Sequence, residues 1–301
     1  MRRPLVVACA AGVGLAASSA RGDDATAQSR EPAPELAPEP APEQAPELPA
    51  MHPGYWSRAD ARPFLATTID VGFLYLRPRL SLGYGKPFTF WGGLDVNPIA
   101  TSSGVGAYGG LRLQFPWFDV RAGARAFYAF NHEFLPPETH YSTIDLDQTV
   151  GSKSEYVTLE AEIAGGIPAG PGSILFVLSA SAVEGVPSGS YVYEETLRVI
   201  TNPPAIYRAR TGYAVRLGSE GAARVGVVGE VLELPGRDER VYRAGIVASF
   251  AIDDHLEALG LLVVPVWSPD SIGIAGGDFG ELGVRYRWAT GVDKRRIPSF
   301  P

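Results

Sequence analysis

Arginine and carboxylate side chains recur on alternate residues along much of this sequence, a spacing that gathers them on one face of a β-strand. They are Arg77 and Arg79, Arg112, Arg121 and Arg125, Glu160 and Glu162, Arg208, Arg210 and Arg216, Arg224 and Glu230, Arg243, and finally Glu281, Arg285 and Arg287. Asp70 and Asp119 fall on the same faces. A guanidinium keeps its proton at any accessible pH and pairs with a carboxylate through two parallel hydrogen bonds. Such a set either neutralises itself as a buried network or, where arginine is in excess, leaves a positive potential that draws anions. Other groups promise less. His132 and His140 stand among Glu133, Glu138, Asp145 and Asp147, too loosely spaced to specify a metal site. Asp253-Asp254-His255 reads as a turn, no Ser stands beside a His at strand spacing, and Gly104 to Gly109 is strand glycine rather than a nucleotide loop. No catalytic residue, metal or cofactor is expected, and the chain is read as a non-enzyme.

The elements that must hold these charges are hairpins whose other face is apolar. Val105, Ala107, Leu111 and Leu113 alternate with Arg112 and Gln114, and the chain returns through Val120, Ala122, Ala124 and Ala126, set against Arg121 and Arg125. The pattern repeats around Val157 to Ile163, Ile174 to Val183, Tyr207 to Val215, Ala223 to Val227, Tyr242 to Phe250, Leu256 to Val266 and a last strand at Glu281 to Trp288. Counted from one long strand between Phe64 and Tyr84, kinked at Pro78, this makes ten strands. Their connections alternate: tight turns on one end, and long segments such as 85–103, 131–153, 185–205 and 268–277 on the other. The expectation is an all-β, antiparallel, up-and-down transmembrane barrel, with apolar residues outward and charges in the lumen. Aromatic belts are expected from Phe64, Phe115, Phe118, Phe250 and Trp288 at one end and Tyr84, Tyr128, Phe130 and Tyr207 at the other. Twelve strands is the alternative, made by adding Phe88 to Asp95 and splitting the first strand at Pro78, and it is ranked lower because it would put the long loops on the wrong end.

Composition bounds the rest. The 301 residues carry a net charge of -7, with Lys only at 86, 153 and 294, so nothing points to nucleic acid. Arg2 and Arg3 precede an apolar run to Ala17 and small residues to Ala20, a signal peptide over 1–20. Cys9, the single cysteine, lies within it, and Val6 to Cys9 also resembles a lipobox that would lipidate it. Residues 21–62 are dominated by Pro, Ala and Glu, a disordered periplasmic spacer whose extended run of Glu31 to Ala50 would reach on the order of 60 Å. The barrel is assigned to 63–290 and a periplasmic tail to 291–301.

The closing strand, Glu281 to Trp288, puts Leu282, Val284, Tyr286 and Trp288 on one face. Its order of a polar residue, then Gly283, then Tyr286 and Trp288 resembles the β-signal of bacterial outer-membrane β-barrel proteins, read by the barrel-assembly machinery. The resemblance covers eight residues and departs from the pattern because thirteen more follow the strand. It implies a cell outer-membrane location, both termini in the periplasm, and lipid and the assembly machinery as partners. Ten strands is also the number in the omptin family of outer-membrane proteases, but Asp253-Asp254-His255 is only superficially similar to their site. A structural or surface-interaction barrel with a charge-paired lumen is the expected function, a narrow channel for an anionic solute the alternative, and an outer-membrane hydrolase a distant third.

Overall fold

The computed structural model describes residue 56 and residues 59–72, 75–146, 153–218, 223–279 and 282–291. The signal peptide with Cys9, nearly all of the spacer and tail, and Glu281 lie outside the described residues.

Among the described residues, twelve strands close into one antiparallel barrel. They are β1 (Arg62–Gly72), β2 (Tyr75–Lys86), β3 (Phe90–Thr101), β4 (Gly104–Gln114), β5 (Phe118–Glu133), β6 (Lys153–Ala169), β7 (Gly172–Glu184), β10 (Ala205–Leu217), β11 (Ala223–Leu234), β12 (Glu239–Ala251), β13 (Leu256–Trp267) and β14 (Gly283–Ala289). A separate small hairpin, β8 (Val192–Glu194) and β9 (Val199–Thr201), lies between β7 and β10. Each wall strand pairs with its sequence neighbour, and β14 closes on β1 from Ala66 opposite Ala289 to Gly72 opposite Gly283. Gly283 is required at that seam, because a Cβ there would stand 2.0 Å from the Val71 carbonyl oxygen and 2.6 Å from the Gly72 Cα.

The count of ten is therefore corrected to twelve. The stretch taken as one strand is two, divided at 73–74 rather than at Pro78, and the supposed loop 85–103 holds β3. Pro78 sits inside β2, and the β2–β3 ladder skips from Leu76 opposite Ala100 to Leu80 opposite Val96. That gap brings Pro78 level with Pro98, where neither residue has an N–H to donate to the other's carbonyl and the ladder is interrupted. The objection to twelve strands also fails. Two strands were added in the same half, which preserves parity, and the ends of β5, β7 and β13 from which the long connections leave stay together at one end, the loop end. The terminal end holds the start of β1, the end of β14 and the turns at 87–89, 115–117, 170–171 and 252–255.

Alternation sorts the two faces. Leu80, Leu82, Leu111, Leu113, Val225, Val227, Leu262 and Val264 point outward and stay exposed. Every wall strand but β14 has eleven or more residues, which at about 3.4 Å each and a tilt of about 40° span the roughly 30 Å of a bilayer core. An arginine facing lipid at the midplane would cost about 2 to 4 kcal/mol. The outward charges Glu155, Glu184, Glu233 and Arg240 stand accordingly at the loop-end rim. Aromatic girdles flank the band, with Tyr84, Phe90, Trp117, Phe118, Phe250 and Trp288 toward the terminal end and Tyr128, Phe130, Tyr207, Tyr242 and Trp267 toward the loop end. Tyr84 is thereby moved to the opposite belt, since β2 runs back toward the termini. Phe64 leaves the belt altogether: it is buried inside against Trp91, with Trp56 in the same cluster. Trp56, assigned to the spacer, donates from Nε1 to the Asp254 carbonyl at 2.9 Å.

Candidate functional site: the lumen and its plug

The inward arginines draw in carboxylates from adjacent strands. Asp70 accepts from Arg285 Nε at 2.6 Å and pairs with Arg77 at 3.3 Å. Arg112 bridges Asp95 at 3.2 Å and Asp119 at 2.7 Å, and Ser81 donates to Asp95. Arg121 pairs with Glu162 at 3.1 Å, and Arg125 with Glu160 at 2.9 Å. Glu230 collects three cations: Arg208 at 2.7 Å, Arg210 at 2.6 Å and Arg243 at 2.8 Å. Arg287 pairs with Glu257 at 2.8 Å. Arg216 and Arg224 face each other across β10 and β11 near the terminal end. Among the described residues Arg79 has no ion pair, its neighbours Arg77 and Arg112 having engaged Asp70 and Asp95. Tyr108 lies along the wall over Gly110 and Gly123, where a Cβ would stand 2.3 Å from its hydroxyl and 2.9 Å from its ring. Arg121 then sits over that ring, 5.8 Å from its centroid.

The wall holds more arginine than acid, and the loops supply part of the difference from inside. The β8–β9 hairpin is folded into the loop end of the barrel. Val192, Glu194, Ile200 and Thr201 are wholly buried. Val192, Leu197 and Val199 pack on Phe127, Ala129, Tyr156, Val183, Ile206, Leu232, Leu234 and Val241 of the wall. Glu194 meets Arg125 at 3.1 Å, and its other oxygen accepts from the Leu197 N–H at 2.6 Å. Arg243, already paired with Glu230, donates to the Leu197 and Arg198 carbonyls at 2.8 and 2.9 Å. Beyond the hairpin, Asp278, between β13 and β14, bonds Val263 through both backbone groups, at 2.8 and 3.0 Å, and turns its carboxylate to Arg208 and Arg210.

A second layer covers the hairpin. Leu135, Tyr141, Leu146 and Ile272, from segments 134–152 and 268–282, cluster with its Tyr193 and Ile200. Arg237 ties the layer down, donating to the Ile200 carbonyl at 3.1 Å and to both oxygens of Asp270 at 2.6 and 2.9 Å. Burial in this layer pushes the Tyr141 phenol up to about 12. The two loop histidines part company. His132 meets Glu195 of the hairpin, which also accepts from Ser103 at 2.7 Å. His140 Nε2 meets Ser271 Oγ at 2.6 Å, and its Nδ1 meets the Pro269 carbonyl. That pair joins residues 131 apart, so no sequence spacing announced it, and it borders neither lumen cavity described below. It serves as a latch between two loops. Asp95, Glu257, Glu194, Glu195 and Asp278 were likewise absent from the sequence's candidate set.

Among the described residues, two cavities line the interior. One of 220 Å³ lies directly beneath the hairpin, with Thr196 and Arg198 in its roof. One of 340 Å³ reaches the terminal-end turn at Pro116 and the end of β6 at Pro168. Between Arg224 and Glu257 toward the terminal end and Glu230 and Arg243 toward the loop end, the inner face of β11 to β13 is apolar, with Val228, Val247, Leu261 and Val263 in one cluster.

No family model and no curated relative matches the sequence. Among solved structures, the chain is similar to outer-membrane β-barrels. A NanC porin has 9% identity and a TM-score of 0.34, over 75% of this chain and 97% of that one. A loop L8 deletion mutant of OmpT, an outer membrane protein of Vibrio cholerae, has 11% identity and a TM-score of 0.31, over 76% of this chain and 98% of that one.

Proposed function

We propose that this chain is an outer-membrane barrel that its own loops close from the outer side, and that it acts through the surface of those loops rather than by passing solutes or by catalysis. The observation that carries the reading is the buried Glu194 on Arg125: the hairpin is held by the same charge network that fills the lumen, so the plug and the wall are one electrostatic unit. Breaking such a pair from one side costs about 3 to 5 kcal/mol, which makes spontaneous withdrawal of the hairpin rare. The capping layer in turn presents Ile144 and Ile274 to solvent, each about three-quarters exposed. Lipid surrounds the apolar band, the assembly machinery reads Gly283, Tyr286 and Trp288, and both termini lie in the periplasm.

The test is topological. Cys9 falls in the segment assigned to the signal peptide, so an Ile144→Cys variant should carry one thiol in the mature barrel. A membrane-impermeant maleimide should label it in intact cells, in a protein that fractionates with the outer membrane and migrates differently when unboiled. Labelling only after cell lysis, or recovery as a soluble protein with no heat shift, would contradict the reading.

A further inference from the structure

Arg198 stands at the last position of the hairpin turn with φ of 55°, in the left-handed region that costs a side-chain-bearing residue energy and that Gly or Asn usually fills. Its backbone does not explain the choice. The carbonyl that receives Arg243 at 2.9 Å would be supplied by any residue. Its side chain has no hydrogen bond or ion pair among the described residues. The guanidinium lies over the Phe279 ring, 5.8 Å from the centroid, at the 220 Å³ cavity. The other arginines of that cavity are already compensated, Arg77 by Asp70, Arg121 by Glu162, and Arg208 and Arg210 by Asp278 and Glu230. One cation is therefore left facing a space whose lining joins the apolar Phe127, Phe279 and Leu261 to the already engaged carboxylates Glu162, Glu195 and Asp278. The cavity holds about seven water-sized volumes at ~30 Å³ each. It shares Ala164, Val177, Arg210 and Leu261 with the 340 Å³ cavity, its neighbour toward the terminal end.

We infer that the underside of the plug is a binding site for a small organic carboxylate with a flat apolar body, entering from the side of the termini and held by Arg198. The carboxylate pairs with the guanidinium, and the body lies against Phe279, Phe127 and Leu261. The inference rests on the plugged reading, since Arg198 reaches the lumen only while the hairpin is inside.

Sodium benzoate, with neutral benzamide as its isostere, is titrated into the full chain refolded in detergent, and the same barrel is assayed for conductance in a planar bilayer. Benzoate should bind more tightly than benzamide. Arg198→Gly should weaken benzoate about tenfold, the scale of one lost charge-assisted contact, and leave benzamide unchanged. Because glycine relieves the left-handed turn, the variant should melt no lower than the wild type, whereas a merely structural arginine would lower it. If the glycine variant does not refold, Arg198→Gln carries the same expectation for binding. A silent barrel that fails to bind benzoate, binds it no better than benzamide, or keeps its affinity without Arg198 overturns this inference alone. A freely conducting wild type overturns the plugged reading as well.

Discussion

Glu230 carries more of the lumen's charge balance than any other single side chain in the network, because it holds Arg208, Arg210 and Arg243 while fully buried. Glu230→Gln leaves those guanidinium groups protonated around a neutral amide, with Asp278 the remaining acid within reach of Arg208 and Arg210. The expected loss is about 3 to 5 kcal/mol, read as a lower temperature for loss of the compact form in gel-shift melting. An unchanged melting temperature would mean that water, not Glu230, neutralises the cluster. Glu230 and its arginines were legible in the sequence, because lipid rejects charge and period-two alternation then sends every such residue inward. Glu194 and Asp278 were not. They stand in segments with no alternation to read, and their inward position comes from packing between parts of the chain far apart in sequence.

Among the elements, the closing strand was legible and the strand count was not. Gly283, Tyr286 and Trp288 sit in β14 at the seam with β1, paired with Gly72, Ile69 and Thr67. The division of the first long run at 73–74 was missed because Pro78 offered a more conspicuous break, and β3 was hidden by its own Gly and Pro. The β8–β9 hairpin is too short to show a period, and only the wall around it makes it a structured element. The seam yields a prediction of its own. Gly283→Val forces a side chain against the Val71 carbonyl, so it should open the β1–β14 pairing and leave unfolded protein for periplasmic proteases. Replacing Tyr286 and Trp288 with Ala should do the same through loss of the assembly signal, while deleting 292–301 should be tolerated. Normal heat-modifiable barrels from Gly283→Val would show that the seam is not packed as described.

At the scale of the whole molecule, a closed twelve-strand wall encloses an arginine excess, and the loop end is stoppered by a hairpin whose carboxylate belongs to the same network. The two candidate functions are thus two states of one object. With the hairpin in place the barrel is blind at one end, and without it the lumen keeps the arginines of its wall but loses Glu194 and Glu195 together with Arg198. The most direct measurement is single-channel conductance of the full chain beside a variant in which 190–202 are replaced by a short Gly-Ser link. The wild type should be electrically silent, and the variant should conduct with a reversal potential in a salt gradient that favours chloride over potassium. A wild type that already conducts, with a current that the replacement leaves unchanged, would contradict the plugged barrel.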